Sequence, residues 1–184
     1  IELEKVFQTK AEELREAFSF VAECNVGGEF MADDKLARLE KIAQIEWYRY
    51  FDYTLGLSND ERQRLGEPSA PKLPERGYLL EDRPDHVIPR ERALPKEKWD
   101  RYGIKMEAPE YLFNRGELYN LSIKRGTLTD EERFKINEHI INSIVMLEEL
   151  PFPKHMSRVP EFAGGHHETM IGTGYPKRLC REDM

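Results

Sequence analysis

Seven of the eleven prolines in this 184-residue chain fall between positions 66 and 109, at 68, 71, 74, 84, 89, 95 and 109. Proline has no amide hydrogen and disfavours helical backbone in the residue before it, so this stretch cannot carry regular helices longer than a few turns. It is densely charged as well, as in DRPDHVIPRERALPKEKWDR. The stretch reads as a linker or a long excursion, with a short hairpin around Gly77-Tyr78-Leu79-Leu80 and Val87-Ile88. A stretch of that length without regular structure is ordinarily functional or poorly ordered. It divides the chain into a helical segment (1–65), the excursion (66–109) and a C-terminal part (110–184).

The flanking parts read as helices, which makes the fold class all-α. Leu3, Val6, Phe7, Leu14, Ala17, Phe18 and Val21 recur at three- and four-residue spacings, an apolar stripe that Gly27-Gly28 ends. A second helix starts at Asp33 or Asp34 and carries Leu36, Leu39, Ile42, Ala43, Trp47, Tyr50 and Phe51 as far as Gly56. Ser58 and Glu61 have the spacing of a capping box. This aromatic-rich region reads as helical core or as the surface of a partner helix, not as a cofactor site.

In the C-terminal part, Thr129 and Glu132 form a second capping-box pattern, and Asp130 and Glu131 add negative charge where the helix dipole favours it. The helix predicted there runs to about Leu150, where Pro151 and Pro153 stop it. Ile136, His139, Ile140, Ser143 and Leu147 form one stripe, which would turn His139 towards the interior. A short helix with Pro160 in its first turn follows and ends at His166-His167. A single histidine on an apolar stripe is ordinarily a hydrogen-bonded core residue. That reading weakens when a second helix delivers two more imidazoles. Neighbouring helical residues diverge by about 100°, so His166 and His167 suit two adjacent metals, or one metal and one substrate contact. Imidazole binds zinc, iron, manganese or nickel, which leaves the metal open. Glu168 is read first as a carboxylate fixing a histidine tautomer, ahead of a ligand or an ion-pair partner. His86 and His155 read as solvated side chains.

The loop IGTGYP, with Gly172, Gly174, Tyr175 and Pro176, can approach a ligand closely and expose N–H groups; Lys177 and Arg178 put positive charge beside it. The formal charge of -7 and a pI near 5.4 argue against non-specific binding to DNA or an anionic membrane. No apolar run is long enough to span a bilayer. Cys24 and Cys180 form no CxxC pair, which fits a reducing cytoplasm. IELEKVFQTK lacks the layout of a signal peptide and an initiator Met, and the sequence stops at CREDM; both suggest a piece of a longer protein.

RGTLTDEER…H…ML followed by HHETMIGTGYP resembles the HD-GYP phosphohydrolases of the HD superfamily, over about residues 110–180. The resemblance implies a helical bundle holding two or three metal ions, iron or manganese ahead of zinc, that activate a water. The substrate it implies is a cyclic dinucleotide such as cyclic di-GMP, in bacterial signalling, and sensor or regulatory domains are expected in the longer chain. By position, His139, His166 and His167 match metal ligands, and Gly172, Gly174, Tyr175 and Pro176 match the loop against the substrate; Arg178 joins them as the cation beside that loop. The pattern is incomplete. Glu110-Tyr111 stands where the family has His-Asp, Asn114 where it has Lys, and Ile171 where the loop has a leading Asp. Three imidazoles without a bridging carboxylate predict at most one metal. Two functions follow as expectations: a metal-dependent phosphodiesterase, or a degenerate module that binds a nucleotide or a protein without turnover.

Overall fold

The computed structural model describes residues 2–66, 71–92 and 94–184. In chain order the elements are α1 (Glu2–Val26), α2 (Asp33–Ala43), β1 (Glu46–Arg49), α3 (Asn59–Leu65), β2 (Glu75–Tyr78), β3 (Val87–Ile88), α4 (Lys96–Arg101), β4 (Phe113–Asn114), α5 (Glu117–Leu121), α6 (Asp130–Glu148) and α7 (Val159–Gly165). Half of the residues are helical, and among the described residues the strands form two two-stranded sheets, so the fold is all-α as expected. The chain folds into two compact units, residues 1–88 with 113–129, and residues 89–112 with 130–184. The stretch 66–109 thus supplies residues to both.

In the first unit, Ala17, Phe20 and Cys24 of α1 meet Leu39 and Ile42 of α2, with Leu118 and Leu121 of α5 packed against them. The buried stripe of α1 is narrower than the sequence suggests. It occupies only the C-terminal half, while Leu3, Val6, Phe7 and Phe18 are exposed, Phe7 at 64%. The apolar residues of α1 cover a wide arc, and the partners in this chain reach only one edge of it. The second helix stops at Ala43, not near Gly56. Ile45-Glu46-Trp47-Tyr48-Arg49 is rich in β-branched and aromatic residues, and Glu46–Arg49 becomes a strand instead. It pairs antiparallel with β2, with Trp47 opposite Gly77. The expected hairpin between Gly77–Leu80 and Val87-Ile88 does not form. β2 pairs with β1, and β3 pairs with β4, Val87 opposite Asn114. Ser58 and Glu61 do form a capping box at the start of α3.

The second unit is built on α6. Phe134, Ile140, Ile141 and Ile144 are buried against Trp99 and Ile104. The buried face is therefore rotated from the expected one: Ile136 is 54% exposed and His139 is exposed rather than turned inward. Isoleucines at 136, 140, 141 and 144 occupy too much of the circumference for spacing alone to choose a face. Full burial of Ile140 and Ile144 contributes about 1.5–3 kcal/mol each. α7 then lies directly on α6, because Gly164 has no side chain: a Cβ there would sit 2.8 Å from Cγ1 of Ile144. Pro160 occupies the first turn of α7, as expected. This close contact delivers the end of α7 to the face of α6 that carries His139.

Candidate metal centre

His139, His166 and His167 come together in the second unit. One ligand nitrogen from each lies within 4.8 Å of the others. Nε2 of His167 is 3.3 Å from Nε2 of His139, and the ring centres of His166 and His167 are 4.0 Å apart. The two adjacent histidines follow directly on α7, with His166 as its C-cap, and both reach the site.

Two of the rings are oriented by backbone. Nδ1 of His139 is 2.6 Å from the carbonyl oxygen of Ile136, and Nδ1 of His166 is 2.7 Å from that of Ala163. A carbonyl oxygen only accepts, so each Nδ1 is the donor, and the neutral tautomer this selects has its lone pair on Nε2. Metal-ligating histidines are prepared in this way. His167 is set differently: its ring stacks on Tyr175, 4.6 Å between centres and 15° between planes. Partial burial, and then the neighbouring His166 and His139, hold its pKa below the ordinary histidine value, which favours the neutral ring a metal requires.

The loop after the histidines is braced by its own groups. Glu168 does not meet an imidazole: its carboxylate accepts the N–H of Lys177 at 2.6 Å and of Leu179 at 2.9 Å. The N–H of Tyr175 donates to the carbonyl of His167, that of Thr173 to Oγ1 of Thr169, and that of Gly172 to the carbonyl of Thr169. These N–H groups, expected to face a ligand, are spent inside the loop. Gly174 allows the fold-back. A Cβ there would come within 2.5 Å of backbone atoms of Glu168 and Thr169. Pro176 is fully buried, and its carbonyl accepts the N–H of Lys105 at 2.8 Å.

Of the loop residues expected at the substrate, Gly174, Tyr175 and Arg178 line a cavity of about 460 Å³, with Arg133, Phe134 and Asn137 of α6. Arg178 has left-handed backbone, φ 54°, and lies 3.9 Å from Glu107. Gly172 is at the base of the loop instead, against Sγ of Cys180. Arg133 and Asn137 were not singled out from sequence. They stand one turn apart on the helix that carries His139, a spacing that could have flagged them. Glu110, Tyr111 and Ile171, at the positions where the HD-GYP pattern has other residues, contribute nothing to the cluster. Among the described residues no carboxylate joins the three imidazoles.

The donor set fits a divalent transition metal. At Zn–N distances of 2.0–2.1 Å, two tetrahedral ligands stand about 3.4 Å apart. The 3.3 Å pair already has that separation. Three nitrogens leave positions open on the ion. No curated protein and no solved structure shows significant similarity to the chain. Residues 76–184, more than half of the sequence, match the HD domain, so the chain belongs to the HD-domain family of metal-dependent phosphohydrolases.

Proposed function

We propose that the chain is a phosphodiesterase of HD-GYP type acting on a cyclic dinucleotide, cyclic di-GMP or a related molecule. The observation that carries this reading is the triad placed directly beside the GYP loop, with the Tyr175 ring against His167 and a cavity opening at Tyr175 and Arg178. A divalent ion, iron or manganese ahead of zinc, would supply charge neutralisation at the phosphodiester and a lowered pKa for a water nucleophile. His139, His166 and His167 hold it, while the carbonyls of Ile136 and Ala163 keep the Nδ1 protons in place. Arg133 and Arg178 offer positive charge to the phosphate within an acidic protein. Asn137 offers an amide to a polar edge, and Phe134 and Tyr175 offer ring surface to a base. In this reading the site serves cytoplasmic signalling, coupled to sensor or regulatory domains of a longer chain.

The test is product formation by manganese- or iron-loaded protein incubated with cyclic di-GMP, with turnover abolished in His166→Ala and in His167→Ala. Intact dinucleotide after incubation with ion-loaded protein contradicts hydrolysis. One observation favours a second reading. Among the described residues the imidazole cluster has no carboxylate to bridge two ions or to carry a proton. A degenerate module would bind the dinucleotide or a protein partner without cleaving it. Saturable heat of binding without turnover, with ion present, selects that reading.

A further inference from the structure

The first unit contains a cavity of about 480 Å³, within the range of small-molecule sites, and Arg49 of β1 lines it. Arg49 is 8% exposed. Its Nη2 donates to Oε2 of Glu75 at 3.0 Å, but among the described residues its Nε–H, also buried, finds no acceptor. A buried guanidinium that uses a single donor on a single carboxylate is under-satisfied, since the group has five donors and no acceptor. Its Cζ lies over the Tyr53 ring, 4.9 Å from the ring centre; Cζ of Arg83 lies at the same distance from that ring. Two positive charges therefore share one aromatic side chain.

The acids around the cavity do not meet this demand. Glu81 accepts the N–H of Tyr78 at 2.7 Å, and Asp82 accepts the N–H of Tyr119 at 3.1 Å. Asp85 is taken by Arg83 at 2.8 and 3.0 Å, and Glu46 by Arg76. Each of these carboxylates already has a partner, while Arg49 keeps donors that none of them meets, so a ligand complementary to Arg49 brings acceptor oxygens. Leu80 and Leu118 supply an apolar wall. We propose that this cavity binds a small molecule carrying an oxyanion, carboxylate or phosphate, on an apolar body, with Arg49 as its anchor. The site lies wholly in the first unit, apart from the histidines, and does not depend on the hydrolytic reading.

Nitrogen-15-edited spectra of the full chain report arginine Nε–H groups directly, with benzoate and phenyl phosphate as the two probes. The expected result is one Nε–H resonance that shifts saturably with at least one probe, is absent in Arg49→Lys, and identifies which oxyanion is preferred. Lysine keeps the charge but not the planar fork, so probe affinity in that variant, read from backbone N–H resonances of the cavity wall, should fall about tenfold or more. Gln44→Trp, at an exposed position lining the cavity, fills it without touching the core and should also abolish the shift. Shifts that stay linear in probe concentration with both probes, or binding that survives in Gln44→Trp, overturn the proposal. That variant keeps the test decisive if Arg49→Lys fails to fold.

Discussion

At the scale of single residues, the account rests on three imidazoles and two glycines. His139→Ala, His166→Ala or His167→Ala removes one of three nitrogens, and manganese affinity should fall well beyond the roughly 10–100-fold typical of losing an outer hydrogen-bond partner. His155→Ala, at an exposed position elsewhere, should leave it unchanged. Calorimetry on the four variants checks this. Acidification should weaken ion binding, because protons compete for the same lone pairs. The depressed pKa of His167 keeps that ring neutral to a lower pH than an ordinary histidine. Titration at pH 5 and pH 7.5 should find the tighter binding at the higher value. Glu168→Gln should cost about 1–3 kcal/mol in urea unfolding, because its charge-assisted acceptance of two loop N–H groups is lost. The three histidines singled out from sequence do cluster, whereas Glu168 bonds loop N–H groups and not an imidazole. Its partners lie nine and eleven residues away, and only the closed loop brings them back to it.

At the scale of elements, the contact between α6 and α7 decides whether the histidines meet. Gly164→Ala places a methyl group against Ile144, and overpacking of this kind costs about 1–3 kcal/mol. It should also reduce ion affinity, since α7 carries His166 and His167 at its end. Pairing it with Ile144→Ala removes Cγ1 and Cδ1, the two atoms the methyl group would meet, and the two effects should be less than additive in unfolding and in ion binding. Strict additivity would mean that the methyl group and Ile144 do not collide. Helix starts were legible where caps and prolines set them: Ser58 for α3, the residue after Thr129 for α6, and Pro160 for α7. The faces of α1 and α6 were not, because both are apolar over more of their circumference than one partner covers. Nor was strand pairing. Residues 46–49 carry both a helical apolar spacing and a strand composition, and the pairing with Glu75–Tyr78 decides between them.

At the scale of the whole molecule, the proline-rich stretch does not separate two halves; it divides its residues between two units, each closed by segments distant in sequence. Proline spacing shows where helices cannot run, but not which core a loop joins, and Trp99 and Ile104 of the second core come from that stretch and its end. The all-α class was legible because helical periodicity and caps dominate the rest of the chain. The histidine cluster was legible because two of its members adjoin in HHE, whereas the cavity wall at Arg133 and Asn137 needed the fold. The central proposal about the molecule is that the triad holds no more than one divalent ion, on three histidines. Elemental analysis of purified protein, loaded with manganese or iron and freed of excess ion, tests that claim most directly. One ion per chain, lost in His139→Ala, is the predicted result. Two tightly held ions per chain, or one ion retained in that variant, would contradict it.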